Sequence, residues 1–442
     1  MNRQLLRHLL QFTILIPILG LIVYIYSRQR TSSSSPINGI RINNITDSCV
    51  SFNPADVSSK LHSGIGEGRS RTLEEVHDFV CSIMNHDMNV TAKLDCPATI
   101  DPRYNDLRIQ EGSLPRSQIQ YFFALDLHQA VHIIIPLMGA IMKAVRYLGP
   151  EYCALSIVEG RSTDGTYEIL AGLKNELNFL GVRYFLSRSH LDPMAEGENR
   201  ITALAELRNQ ALMPLFEGSE RWYSRFSRSS PVASDAIIIF INDIVLCPED
   251  ILELMHQHRL QSAVMTCAFD WNAGAGSFYD SWVSRSMSGN LFFEVSHDAK
   301  HWLAQDMFFD DPPSADRYKK LLPLQVYSCW GGMVTLDAAP FIERKVTFRS
   351  SDPDECYSGE PTLLGKDLWR IGQGKILAVP AVNVAYEYSN AREAKDVRGY
   401  VHNVVHDSSS YHKDELVNWN KKPPPMVKCM PVFYEQSWMD PL

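Results

Sequence analysis

Short apolar runs alternate with longer amphipathic stretches through the middle of this chain. Residues 121–127 (YFFALDL), 154–158 (ALSIV) and 182–186 each predict a strand. Apolar positions recur at helical spacing through 130–148, 165–180 and 201–216, and these predict helices. The continuous run 236–241 (AIIIFI) suits a strand buried on both faces. Residues 248–258 predict a further helix and 263–268 a further strand. Strand and helix alternating at this spacing predict an α/β fold with a doubly wound, mostly parallel sheet. Ligands of such sheets bind beyond the carboxyl ends of the strands, so the residues that follow each strand are the first candidates for a site.

The amino-terminal part reads differently. Residues 9–26 (LLQFTILIPILGLIVYIY) carry no charge and are about as long as the shortest helix that crosses a bilayer. A transmembrane anchor is expected there, after a cytosolic tail at 1–8. A cleaved signal peptide is the alternative, although Ser27-Arg28-Gln29-Arg30 makes a poor cleavage site. Residues 27–115 form a stem and N-terminal region, rich in Ser, Asn and Gly up to about residue 65, with a short helix expected within 72–95. The main body spans 116–400 and an extension 401–442. Sequons at Asn44 and Asn89 favour a luminal body. Nine cysteines fit an oxidising compartment, and their odd number leaves at least one outside an intrachain pair. Cys49, Cys81 and Cys96 are candidates for local pairing, whereas Cys247, Cys267 and Cys329, in apolar surroundings, read as buried thiols.

At 45% hydrophobic and 21% charged residues the chain has the composition of a folded protein. Its net charge of −9 provides no global basic field, so nucleic acid is not an expected partner. A ligand carrying a diphosphate must instead be held locally, by a metal ion or a few arginines.

The residues after the strands fit that requirement. Glu159-Gly160-Arg161-Ser162-Thr163-Asp164 follows the second strand. Glu159, Arg161 and Asp164 are candidate nucleotide contacts, with a simple turn and helix cap as the alternative. Asn242-Asp243 follows the AIIIFI run, where a carboxylate is placed to hold Mn²⁺ or Mg²⁺ against diphosphate oxygens, with Asn242 in support. Glu249 and Asp250 read as charges complementing a helix N-terminus. Arg208 suits bidentate phosphate contact, or else a solvated helix face. Asp270-Trp271, Tyr279-Asp280 and Trp330-Gly331 combine aromatic rings, acids and a permissive glycine, as a sugar site would, although core packing accounts equally well for some of them. Glu360 ends the acidic stretch 352–360 and Asp367 follows it in a probable helix; both are candidate catalytic carboxylates, with ordinary helix N-terminal charges as the alternative.

Taken together, VEGRSTDGT, FINDIVLCPEDIL, CAFDWN, FYDSWVSR, CWGGM and LLGKDLWRIGQGKILAVPAVNVAY, in that order over roughly 118–400, resemble the fungal capsule-associated (cryptococcal α-1,3-) mannosyltransferase family, glycosyltransferase family 69. The resemblance implies a GT-A-like fold, GDP-mannose as donor and a mannose-containing glycan as acceptor. It also implies a divalent metal (Mn²⁺, or Mg²⁺), retention of the α configuration and single-pass type II residence in the Golgi membrane. Asp243 stands in the metal-motif position, Glu159 near the nucleotide, and Glu360 with Asp367 in the late acidic motif. The metal motif reads Ile241-Asn242-Asp243 and lacks the first carboxylate of a D-x-D. A UDP-sugar donor, or an inactive transferase-like scaffold for polysaccharide synthesis or export, are the competing expectations.

Overall fold

The computed structural model describes residues 73–85, 94–109, 118–216, 232–272, 276–295, 304, 306–406 and 415–442. The expected anchor at 9–26, the tail before it, most of the stem, Cys49 and both sequon asparagines, Asn44 and Asn89, lie outside the described residues. Among the described residues no helix is long and apolar enough to cross a membrane.

Helix α1 (Leu73–Met84) packs on the body ahead of β1 (Ile119–Leu127), α2 (Ile134–Leu148) and β2 (Cys153–Gly160). Then come α3 (Thr166–Gly172), α4 (Lys174–Leu180), β3 (Arg183–Ser189), α5 (Arg200–Leu212), β4 (Val232–Ile241) and α6 (Pro248–Leu260). The second half holds β5 (Met265–Asn272), β6 (Ser277–Phe278), α7 (Pro312–Lys319), β7 (Leu324–Gln325), β8 (Met333–Asp337) and α8 (Ala339–Ile342). It ends with α9 (Glu360–Arg370), β9 (Ile376–Ala385), α10 (Tyr388–Arg398), α11 (Val401–His406) and the hairpin β10 (Val427–Val432) and β11 (Glu435–Met439).

The main sheet runs β3-β2-β1-β4-β8-β5-β9-β7, with β6 paired to β5. Strands β1 to β4 are mutually parallel, and β5 is parallel to β9. Because β8 is antiparallel to both β4 and β5, β5 points the same way as β4. The carboxyl ends of β1, β2, β4, β5 and β9 therefore share one edge, and the residues that lead into β8 arrive at that edge as well. This is the mixed α/β, mostly parallel architecture that the alternation predicts. Two large apolar clusters fill its faces, one gathering α1, α2 and α6, the other α5, the aromatic residues of β5, and Val334 and Leu336 of β8.

Local chemistry adjusts the predicted bounds. The helix expected over 165–180 is two, α3 and α4, meeting at Leu173. Helix α5 stops at Leu212 and gives way to a 3₁₀ turn containing Pro214, which has no N–H to continue the ladder. The cysteine expectations are corrected. Cys247, Cys267 and Cys329 are not thiols: Cys96 pairs with Cys247 and Cys267 with Cys329. Cys356 pairs with Cys429, Cys81 is disulfide-bonded, and Cys153 is a buried free thiol. Cys96 thus finds its partner 151 residues away rather than locally, a proximity created by the sheet and invisible to spacing.

Candidate functional site

A cleft of about 520 Å³ opens where the strand ends converge, lined among others by Asp126, Arg208, Asn242, Asp243, Asp280 and Glu360. Each acid arrives by a simple route. Asp126 is the penultimate residue of β1, Asp243 lies two residues past β4, and Glu360 is the first residue of α9. Asp280 sits in the short turn after β6.

Arg208 reaches the cleft from α5 and is buried there. Its Nε lies 3.0 Å from Glu360 Oε1, and its guanidinium lies 3.9 Å from the centre of the Trp330 ring. Even so, Nε and Nη1 have no hydrogen-bond partner among the described residues. Buried guanidinium donors normally find acceptors, so an oxygen-rich ligand is the natural complement to this group.

The second feature is a chain of hydrogen bonds along the cleft wall. Trp330 Nε1 donates to Asn242 Oδ1 at 3.2 Å, and Tyr386 Oη donates to Asp270 Oδ2 at 3.1 Å. Asn242 Nδ2 reaches Tyr386 Oη at 3.4 Å. Asp270 Oδ1 accepts the Asp280 N–H, and Asp280 Oδ2 accepts the Gly331 N–H at 2.7 Å. Burial and the neighbouring Asp280 push the Asp270 carboxyl well above the usual carboxylate range. Burial also raises Asp280, but the Gly331 N–H and Arg208 oppose that rise. Both carboxyls are therefore raised, Asp270 the further of the two.

Desolvation raises Asp126 to about 7, with Arg208 opposing and Asp243 and Glu360 reinforcing. Asp243 is likewise raised by burial, against the pull of His132 and His128. Carboxylates outnumber guanidinium groups along this cleft, so a diphosphate would be repelled unless a cation came with it. Among the described residues no group of three or more His, Cys, Asp or Glu side chains could hold a metal ion.

The remaining predicted residues fall elsewhere. Trp271 is corrected: it is fully buried, donates Nε1 to Asn383 Oδ1 at 2.8 Å, and stacks under the Arg398 guanidinium. Successive strand residues face opposite ways, so when Asp270 joins the cleft network Trp271 must enter the core. Asp367 is also corrected. It lies two turns along α9 from Glu360, outside the cleft lining, and is clamped by Arg349 at 2.7 and 2.9 Å. Glu159 is fully buried, accepting the Ser162 N–H at 2.6 Å and facing Arg188. Asp164 accepts from Thr166 and from the Val131 N–H, which ties the β1–α2 loop to α3, and Arg161 pairs with Asp192. These three side chains hold the turn after β2 and are absent from the cleft lining. Tyr279 does line the cleft, half exposed, its ring 4.7 Å from that of Tyr386. Gly331 is needed by the protein's own backbone: a Cβ there would lie 1.9 Å from the Ala268 carbonyl oxygen, and its φ is +64°.

Sequence reasoning missed Asp126, Tyr386 and Phe433, all of which line the cleft, whereas Arg200, which also lines it, reads with Arg208 as a phosphate-contacting arginine. For Asp126 the signal was present, since a carboxylate near the end of an apolar strand is the same clue that singled out Asp243. Tyr386 directly follows β9 and could have been found in the same way.

Fold and cleft together define a mixed α/β protein with an acidic ligand site at the carboxyl edge of a mostly parallel sheet. The chain belongs to the cryptococcal mannosyltransferase family: the family described as cryptococcal mannosyltransferase 1 matches residues 120–367. It is 32% identical to an α-1,3-mannosyltransferase of Cryptococcus neoformans var. neoformans serotype D, over 78% of this chain and 79% of that one. Among solved structures it is similar to the Pyrobaculum calidifontis mannosyltransferase PcManGT bound to GDP-Man and Mn²⁺, with a TM-score of 0.34, 10% identity, and 75% of this chain and 68% of that one covered. It is also similar to GalNAc-T7 with UDP, GalNAc and Mn²⁺, with a TM-score of 0.37, 14% identity, and 67% and 49% covered.

Proposed function

We propose that this chain is a retaining α-mannosyltransferase that moves mannose from GDP-mannose to a mannose-containing glycan, forming an α-1,3 linkage. Its main support is the cleft of a chain in this family: Asp243, at the tip of a central strand, lines the same cleft as a buried Arg208 with unsatisfied donors. Asp243, with Asp126 nearby, would hold Mn²⁺ or Mg²⁺, which neutralises charge developing on the leaving diphosphate. Arg208 would contact a phosphate or sugar oxygen. Glu360, held in place by Arg208, would lie near the anomeric carbon and Asp280 near the sugar hydroxyls. The departing phosphate oxygen can take the acceptor proton on the same face, so no separate base is required. The α-1,3-mannosyltransferase activity named for the Cryptococcus relative supports the donor sugar and the linkage. The disulfides and the uncharged run at 9–26 support a type II Golgi protein, with its body in the lumen and a role in cell-wall, capsule or glycolipid synthesis.

The test is a transfer assay on residues 27–442. GDP-mannose and a panel of UDP-sugars would be offered with short α-mannosides, with Mn²⁺ and with chelator. Mn²⁺-dependent mannose transfer is expected. Transfer from a UDP-sugar instead would discard the donor, and a folded protein with no metal-dependent nucleotide binding would point to a scaffold.

A further inference from the structure

The carboxyl-terminal hairpin plays no part in the chemistry described so far, yet it reaches the cleft. Phe433, in the turn between β10 and β11, is the one lining residue contributed by that hairpin. The hairpin is fastened from several sides. Trp282, itself in the cleft lining, donates Nε1 to the Met430 carbonyl at 2.6 Å. The buried Arg285 donates Nε to the Lys428 carbonyl at 2.7 Å. Cys429 is bonded to Cys356, three residues before Gly359, the N-cap of the helix that begins with Glu360.

Aromatic rings stay exposed around this tether: Tyr434 by 68%, Tyr357 by 42% and Phe433 by 38%. Tyr357 packs beside Trp282, ring centres 6.1 Å apart. Of these exposed rings Phe433 lines the cleft itself, and flat rings on a fixed backbone present contact area at low entropic cost. The hydrogen-bearing face of a pyranose matches the faces of such rings, which carry no cationic group for a diphosphate. Asp126 and Asp243 approach from the strand tips, so the donor phosphates belong at the sheet. The hairpin side is left for the other substrate.

We infer that Phe433, with the exposed ring of the adjacent Tyr434, forms a stacking platform for the pyranose rings of the acceptor glycan, and that the Cys356–Cys429 bridge positions this platform against Glu360. This assignment rests on the proposed transfer reaction.

The test compares wild type with Phe433→Leu, Phe433→Trp and Tyr434→Ala, using α-linked mannotriose as acceptor and GDP-mannose as donor. Loss of one stack, on the order of 1 kcal/mol, corresponds to a rise of about three- to tenfold in acceptor KM. That rise is expected for the Leu and Ala variants with the donor KM unmoved, and Trp is expected to preserve the wild-type value. Cys356→Ser, which cuts the tether without removing a ring, is expected to raise acceptor KM in the same direction. Unchanged acceptor KM in both Phe433→Leu and Tyr434→Ala overturns the platform and leaves the transfer reaction standing. A folded wild-type protein that neither binds GDP nor transfers mannose overturns the reaction and the platform together.

Discussion

Arg208 and Glu360 come from different helices and meet as a buried ion pair, 3.0 Å apart, with side chains only 7% and 3% exposed. The guanidinium also lies against Trp330. Removing one member of a buried pair strands the other charge and typically costs about 3–5 kcal/mol. Arg208→Ala is therefore expected to lower the melting temperature sharply. Arg208→Lys should restore charge but not the planar stack on Trp330, and should recover stability only in part. Thermal denaturation of both variants checks this, and a Lys variant as stable as wild type would show that planarity is irrelevant.

Glu360→Gln keeps the shape of the pair and removes the carboxylate. If Glu360 stabilises developing charge at the sugar, kcat is expected to fall by roughly a hundredfold or more with donor KM little changed. Normal turnover in a steady-state assay would remove Glu360 from the reacting centre.

Asp243→Ala is expected to abolish the Mn²⁺-dependent part of GDP binding and leave the protein folded, because burial already disfavours the charged carboxylate. Titration calorimetry with and without chelator measures this. Binding that stays metal-dependent in the variant would shift the ligand role to another acid, with Asp126 the first choice.

Gly331→Ala meets two obstacles at once: a positive φ and a carbonyl oxygen 1.9 Å from the new Cβ. Backbone strain and overpacking together should cost on the order of 3 kcal/mol. The shift would also disturb the N–H that Asp280 accepts. Chemical denaturation reads the first effect, and donor KM the second.

Glu249, buried at the start of α6, has its pKa raised from 4.5 to about 7 by burial, with Asp250 and Asp101 adding to the rise. Between those pH values the native chain keeps a proton that the unfolded chain has released. Its contribution to stability is therefore complete below about 4.5 and is lost as pH rises through 7. In Glu249→Gln this dependence disappears. The melting temperature of the variant relative to wild type should climb as pH goes from 4.5 to 7, by an amount on the order of 1–3 kcal/mol in stability. A pH-independent difference would mean that Glu249 has the same pKa in the folded and unfolded chain.

The sequence by itself determined the layered α/β plan and the strand tips where the site lies. Both rest on local periodicity: AIIIFI has the continuous apolar pattern of a strand buried on both faces, and the residues after such a strand emerge at the sheet edge. Asp243 was legible for that reason, and so was the family, through a series of motifs in fixed order. Tertiary structure alone decided what depends on contacts between distant segments. Strand β8 inserts antiparallel between β4 and β5, so Trp330-Gly331, which reads as the end of an apolar stretch, actually leads into a strand at the cleft edge. The pleat sent Asp270 to the site and Trp271 to the core, a choice of face that a one-residue register shift would have reversed. Arg208 acquired Glu360, Asp367 acquired Arg349, and Cys96 acquired Cys247 only when the sheet brought their segments together. Local pattern specifies which element a residue occupies. Partners far apart in the chain are set by packing, which sequence spacing does not encode.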